Sequence, residues 1–568
     1  MFLLGDLRTA YRSIAPWLLP LIEASLVLCA VWMSLRAKPS SSRLLLRIES
    51  RFRYLSRKRV LSVLFVFLVT LCIRLALIPV LGIPQPAWND EYSHLLAAST
   101  FASGRLTNPT HPMWIHFESF HIIQQPSYMS MYAPGQGLVM AAGILLGHPW
   151  IGVLLMCALM CAALCWMLQG WFSPEWALFG AMLAVLRFST FSYWMNSYWC
   201  PTLAATGGML VLGAIPRLQA HPRIWHTLLI ALGLVMMANS RPYEGLVFSV
   251  AVAVGTVFWI RSRRFPWRLR MIPNLILPAL CLLVIAGAGM GYYYWKVTGS
   301  PFRMTYKVNR ETYAVVPYFI FFSKRAVPQY HHPVMRDYYA GWEVDQYNEA
   351  RTLRGFARRT GTKISQLWRF FVGPAFSLPL LAFPRILRDR RVRLALVACA
   401  VFSVGCLVET WTFAHYVAPA MGLFYLLLVQ SARHMNVWRW RKGKVGHRLV
   451  RSVPIVCVGM IIIRLAGIVA HAPMEPPWPV GNLDRIAVIE KLNKIPGDHL
   501  VVVRYGPDHN VDRDWIYNPP DIDRARIVWA RDMGTLANEE LLRYFSNRHV
   551  WLMSGDASPP TLEPYPPN

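Results

Sequence analysis

Twelve apolar runs, each long enough or nearly long enough to cross about 30 Å of hydrocarbon, punctuate the chain at 15–35, 60–82, 149–170, 175–190, 203–216, 224–238, 245–260, 271–294, 366–384, 394–409, 416–432 and 452–471. Nothing else in the sequence constrains the fold as strongly. Inside lipid every backbone N–H and C=O must find its partner within the protein, so runs of this length imply a bundle of transmembrane helices. Composition agrees: 55% of the 568 residues are hydrophobic and only 15% charged, more apolar side chain than one water-facing surface could hide. The expected fold is an α-helical polytopic membrane protein with 11–12 spans. The run at 15–35 is the weakest, since it contains Pro16, Pro20 and Glu23, and no small-residue cleavage site follows it. The ten cysteines, Cys200 at the mouth of a run and the others inside runs, form no CxxC pair and read as small hydrophobes.

The net charge of +29 would suggest nucleic acid in a soluble protein. Its distribution points elsewhere. Segments 36–59, 217–223, 261–270, 385–393 and 433–451 hold 28 Lys or Arg, whereas the intervening 84–135, 191–202, 239–244 and 410–415 hold only Arg105 and Arg241. The positive-inside rule places the first set in the cytoplasm, which makes much of the charge topological and leaves no nucleic-acid partner to expect. Segment 295–365 falls outside by alternation although it holds twelve Lys or Arg, and its Arg351–Arg359 stretch reads as a basic helix lying on the bilayer surface. Residues 313–322 are too short to span, so this loop is expected to lie along the outer interface and cover the cavity. Arg74, Arg187 and Arg464, inside apolar runs, should face the bundle interior or snorkel.

Three parts follow: an N-terminal span and basic segment at 1–59, a transmembrane domain at 60–471 with outer loops 84–135 and 295–365, and a small α/β domain at 475–568. The last carries 10 basic and 14 acidic residues. It reads as helices near 483–494 and 538–546 and strands at 500–504, 527–530 and 550–553. Its turn Tyr505-Gly-Pro-Asp508-His509 is a loop or an acceptor contact.

The first outer loop concentrates the chemistry. In Pro86-Ala-Trp-Asn-Asp-Glu-Tyr-Ser-His94, Asn89 is placed to cap a helix on which Asp90 and His94, four apart, share a face. Asp90 is a candidate base; with Glu91 it also suits a helix first turn. The loop continues through a Leu/Ala-rich helix to Gly104 and ends in Met131-Tyr132-Ala-Pro-Gly135. At the outer ends of later spans stand Asn239-Ser-Arg241-Pro-Tyr-Glu244 and Glu409-Thr-Trp-Thr-Phe-Ala-His415-Tyr416. Arg241 offers a fork for phosphate oxygens or snorkels, and His415 and Tyr416 are further donors or members of an aromatic belt. His111, His116 and His121 are spaced five apart, neither a helical pair nor a metal knuckle, and suit sugar or phosphate contacts better than a divalent metal.

An acidic pair just after an early span, a Leu/Ala-rich helix ending in Gly, then Tyr-x-Pro-Gly before the next span resembles the GT-C superfamily of polyprenyl-phosphate-dependent glycosyltransferases. Among these the chain is most similar to the bacterial relatives of protein O-mannosyltransferases and of the lipid A aminoarabinose transferase, over roughly residues 60–470. The resemblance implies transfer of a sugar from a polyprenyl-phosphate-linked donor to a hydroxyl of a glycan, lipid or protein acceptor, by inversion and without a metal cofactor. It places the chain among membrane lipids in the inner membrane, with the active site and C-terminal domain on the periplasmic face. It assigns acceptor activation to Asp90 with Glu91 and donor phosphate binding to Arg241; Glu244, His415, Tyr416, His94, Tyr132, His111 and His116 stand beside them, by their own chemistry and position, as candidates for donor or substrate binding. Two other readings stand beside it. A transporter or flippase would show inverted repeats and midplane ionisable residues, which the sequence lacks. A transferase of the O-antigen-ligase type would release a diphosphate rather than a monophosphate.

In a cysteine-free background, a single cysteine replacing Pro520 is expected to react with an impermeant maleimide from the outer face, and one replacing Arg51 only after permeabilisation.

Overall fold

The computed structural model describes residues 2–36, 43–199, 201–261, 272–440, 443–472, 481–507 and 509–565. Cys200, Asp508, Pro473 and most of the basic segment 261–270 lie outside the described residues. The chain is mostly helical, and among the described residues five helices are long and apolar enough to cross a membrane: Trp17–Arg36, Arg59–Ala76, Pro149–Trp171, Asn274–Thr298 and Val445–Val469. Between them run further apolar helices, including Pro174–Phe188, Thr202–Ala220, Ile224–Ala238, Pro242–Arg261, Arg393–Leu407 and Met421–Asn436. The helix Pro149–Trp171 is the hub. Its Cys157, Cys161 and Cys165 are buried at helical spacing, while Cys29, Cys72 and Cys281 are exposed on outward-facing helix surfaces.

The run expected as one span at 366–384 is broken. Prolines 374, 379 and 384 each remove a backbone donor, and the segment folds as a wide turn Trp368–Val372 followed by the short helices Gly373–Leu380 and Phe383–Ile386. Glu23 explains how the break is tolerated. Its buried carboxylate accepts from Ala375 N–H at 3.1 Å, while Arg187 donates to the Phe370 carbonyl at 2.8 Å and to that of Arg369. The acid that made 15–35 look weak as a span therefore caps a neighbouring helix end. Arg74 faces inward, fully buried, donating to Asn196 Oδ1 at 3.0 Å and to the Gly82 carbonyl at 2.7 Å, over the Trp150 ring.

Loop 295–365 contains the helices Thr305–Tyr313, Glu343–Ala350 and Leu353–Leu367. Residues 314–332 are largely irregular, and Phe319 bridges to Glu409 across the mouth of the bundle. The basic helix Leu353–Leu367 leaves Leu353 and Ile364 exposed and turns Lys363 and Arg359 onto the carbonyls of Glu409 at 2.6 Å and Thr410 at 2.9 Å.

Residues 481–565 form a four-stranded sheet in which His499–Arg504 lies between Ile527–Arg531 and His549–Ser554, parallel to both; Thr561–Pro564 adds an antiparallel edge. His499–Arg504 and Ile527–Arg531 are apolar runs, as strands buried on both faces require, while His549–Ser554 is largely half-buried. One face shares a core with the first outer loop, where Leu96, Phe117, Ile122 and Tyr128 pack with Leu500, Val502, Tyr517 and Phe545. Tyr92 stacks on Tyr517 with ring centroids 4.2 Å apart, and Arg485 lies over Tyr92.

Tyr517→Ala should cost about 3 kcal/mol, in the range for truncating a buried aromatic. Faster limited proteolysis of 481–565 in the detergent-solubilised protein checks it, with Tyr517→Phe, which keeps the stack, as the near-neutral control.

Candidate functional site

The helix Asn89–Ala102 begins one residue earlier than the expected Asn89 cap. Glu91 reaches back to accept from Trp88 N–H at 3.1 Å, so the cap falls at Trp88. Asn89 instead donates to the Val511 carbonyl at 2.9 Å, tying the helix start to the C-terminal unit. Glu91 also accepts from Ala87 N–H at 2.9 Å and, from the far side, from Tyr198 N–H at 2.8 Å. Three backbone donors occupy this carboxylate, which is only 1% exposed. Burial pushes it up to about 7 against the pull of those donors. Glu91 does not face the space that Asp90 faces; it fixes two loops to each other and thereby aims Asp90.

Asp90 is the more open of the pair, its side chain 26% exposed. Oδ1 accepts from the Tyr132 hydroxyl and lies 2.5 Å from His121 Nδ1, and Oδ2 accepts from Trp199 Nε1 at 3.2 Å. Burial pushes this carboxyl up, but the charge and hydrogen bonds of His121 and Tyr132 outweigh it and hold Asp90 well below the usual carboxylate range. The expected pairing of Asp90 with His94 does not form. The ring of His94 stacks on Tyr132 at 4.3 Å, and burial drives its proton affinity down to about 3, so it is a neutral imidazole. The imidazole that reaches Asp90 is His121, placed by the short hairpin Ile122–Ile123 with Met129–Ser130.

From Asp90 an aromatic wall leads to Arg241. Trp199 stacks on His415 at 4.9 Å; His415 meets Tyr416 edge-on at 4.8 Å; and the Arg241 guanidinium lies 4.3 Å from the centre of the Tyr416 ring. His415 is buried, within hydrogen-bond distance of the Tyr193 hydroxyl at 3.1 Å, and burial with the nearby Arg241 charge holds it well below the usual histidine range. On the other side Tyr132 contacts Tyr306, and Tyr306 contacts Tyr318. Arg241 is 8% exposed and its nearest acid is Glu244, at 3.6 Å. Its Nε, fully buried, has no hydrogen-bond partner. A buried guanidinium so sparsely partnered at the edge of a polar cleft is suited to an anion.

Gly135 is what lets the two halves meet. Its N–H donates to the Asn239 carbonyl at 2.8 Å, and a Cβ there would stand 2.5 Å from that oxygen. The Tyr132 turn and the Arg241 turn are joined at this point. Glu409, 8% exposed with Oε2 unpartnered, lies near Glu244, and burial and that like charge hold it well above the usual carboxylate range.

Two expected site residues lie elsewhere. His111 Nε2 sits 3.0 Å from Asp523 Oδ1 and its ring packs against Phe117 and Phe545, while His116 Nδ1 sits 3.2 Å from the Arg531 carbonyl. Both dock the C-terminal sheet because the loop carrying them supplies half of that shared core, so neither is a sugar or phosphate contact in the cleft. Among the described residues, no three His, Cys, Asp or Glu side chains converge on a point that could hold a metal. The sequence names His121 only as one of three loop histidines suited to sugar or phosphate contacts, and gives Trp199, Tyr193, Tyr306 and Tyr318 no role in the cleft. Their signal was weak: isolated aromatic residues in loops rich in them.

No protein-family model matches the chain. No curated protein matches it either. Solved structures do. ArnT from Cupriavidus metallidurans bound to undecaprenyl phosphate superposes with a TM-score of 0.51 at 12% identity, over 87% of this chain and 93% of that one. The apo form of the same protein gives 0.48 at 12% identity, over 87% and 92%. The Archaeoglobus fulgidus oligosaccharyltransferase tethered to an acceptor peptide gives 0.43 at 10%, over 78% and 61%. Over 87% of its length, the chain has the fold of the undecaprenyl-phosphate-bound ArnT structure.

Proposed function

We propose that this chain is a membrane glycosyltransferase that moves a sugar from a polyprenyl-phosphate-linked donor to an acceptor hydroxyl on the outer face of the inner membrane. The observation that carries the reading is the pairing of an ionised carboxylate, Asp90, with a buried, sparsely partnered guanidinium, Arg241, at the two ends of one aromatic wall. Sugar transfer from a lipid phosphate needs both: a place where the acceptor hydroxyl gives up its proton, and a cation that stabilises the departing phosphate. The ArnT structure of like fold holds undecaprenyl phosphate, which supports a lipid-phosphate donor here. In this reading the acceptor oxygen attacks the anomeric carbon from the Asp90 side, the bond to phosphate oxygen breaks toward Arg241, and the configuration inverts. Tyr416, Tyr306 and Tyr132 line the sugar's path, and Glu244 holds the guanidinium from behind. The positive charge at the phosphate comes from Arg241, so transfer is expected to need no metal. The basic loops on the opposite side of the bundle support an outer-facing cleft.

Asp90→Asn should leave the protein folded and reduce kcat about a hundred- to ten-thousand-fold, with donor affinity little changed. Arg241→Ala should chiefly weaken binding of undecaprenyl phosphate, measurable without turnover. Glu91→Gln behaves differently: an amide turned against three N–H donors should cost about 1–3 kcal/mol of stability while the folded fraction keeps kcat within about ten-fold. Glu91 has a raised folded value near 7, so the folded chain holds an extra proton between the ordinary glutamate range and about 7. The stability it contributes is full at acid pH and declines as pH rises through 7. The deficit of Glu91→Gln should therefore be larger at pH 5 than at pH 8 in thermal unfolding. A Glu91→Gln protein as stable as the wild type but inactive would move the base to Glu91.

A further inference from the structure

The carboxylate of Asp90 accepts from two donors, the Tyr132 hydroxyl and the Trp199 indole, and the His121 ring stands against it with Nδ1 2.5 Å from Oδ1. Such an anion is well stabilised and correspondingly poor at accepting a proton. The ring beside it is held with unusual care. His121 has φ +60, a left-handed backbone that a residue other than glycine adopts only where its surroundings impose it. Two donors pin its carbonyl, the Ser93 hydroxyl at 2.6 Å and Met131 N–H at 3.1 Å. With Nδ1 lying 2.5 Å from Asp90 Oδ1, Nε2 is left facing only the Tyr338 hydroxyl, at a long 3.4 Å. The ring is 14% exposed, at the edge of the same cleft as the carboxylate.

We propose that Asp90 and His121 act as a dyad in which the imidazole Nε2 of His121 takes the acceptor proton and Asp90 holds the ring and balances its charge. This deepens the transfer reading above and rests on it. As the acceptor O–H bond breaks, Nε2–H forms; the freed electron pair makes the bond to the anomeric carbon; and the pair of the breaking carbon–oxygen bond leaves on the phosphate. The imidazolium then returns its proton to water or to the departing phosphate. A carboxylate beside Nδ1 favours the tautomer with its proton there, which leaves the Nε2 lone pair free. The groups facing the ring suit a transient positive charge. They are Asp90 and His94 from the helix Asn89–Ala102, Tyr132 from the turn before the next span, Tyr338 and Tyr339 from the outer loop, and Asp512 from the C-terminal turn Val511–Arg513. Two are acids and none is a fixed cation.

The test uses the full-length protein reconstituted with native membrane lipid as acceptor and undecaprenyl-phosphate-linked pentose, hexose and amino sugar as donors. His121→Asn tolerates the left-handed backbone and keeps a donor toward Asp90, but has no base at Nε2. We expect kcat to fall at least about a hundred-fold, undecaprenyl phosphate binding to stay within about three-fold, and the acid limb of the pH–rate profile to disappear. His121→Gly, which also accepts the backbone, should regain turnover when imidazole is added. Wild-type transfer with His121→Asn within ten-fold and its acid limb intact would return the proton to Asp90 and overturn the dyad alone. Loss of undecaprenyl phosphate binding in His121→Asn would give the residue a structural role and likewise overturn it. A wild type that transfers none of the three sugars would overturn the transfer reading, and the dyad with it.

Discussion

The buried carboxylate of Glu91 organises the end of the bundle that carries the cleft. Two of its hydrogen bonds close the turn before the helix Asn89–Ala102, and the third crosses to Tyr198 in a different outer loop. An acid buried this deeply is held only where donors surround it, and backbone amides supply that environment without a counterion. Everything downstream inherits the result. The helix start is fixed, so Asp90 faces the cleft; the Tyr198 loop is fixed, so Trp199 lies against Asp90 and passes contact on to His415, Tyr416 and Arg241.

The division of labour between two adjacent acids was only half legible in the sequence. Period and position showed that Asp90 and Glu91 belong to a helix start at an outer boundary, because capping chemistry is local. Which of the two stays free is decided by donors 107 residues away, at Tyr198. Distance along the chain also explains His94 and His121: a spacing of four predicted the first as partner of Asp90, but a two-stranded hairpin delivers the second. His111 and His116 read as polar candidates in a loop and prove to be docking residues, since the surface that covers them lies more than 400 residues later. The bundle was far more legible. Apolar runs report their own burial in lipid, so eleven of the twelve fall on helices, most within a few residues of their expected bounds, although Phe2–Arg36 and Val445–Val469 begin earlier and 60–82 ends in a separate short helix; prolines divide the twelfth.

Charge in the cleft is sparing. Asp90 and Arg241 remain ionised, while His94 and His415, buried near Arg241, are held neutral. Neutral imidazoles and phenols between two fixed charges make a surface that hydrogen-bonds hydroxyl-rich ligands without holding a second ion pair. The guanidinium is kept charged by Glu244, yet at 3.6 Å the pair is loose enough for an anion to compete.

The shared core between the first outer loop and the C-terminal sheet sets an order of assembly. Bonds such as those from Asn89 to Val511 and from Arg531 to Glu118 join residues 422 and 413 apart. While the ribosome works through the spans between, the loop that carries Asp90 already exists with Leu96, Phe117, Ile122 and Tyr128 uncovered, because the strands that bury them do not yet exist. The loop is completed last although it is made first, a sequence of events that leaves an apolar surface open for most of the chain's synthesis. A nonsense mutation near the end of the coding sequence would thus spare every span and still expose the loop bearing Asp90, turning a late truncation into a lesion at the front of the protein.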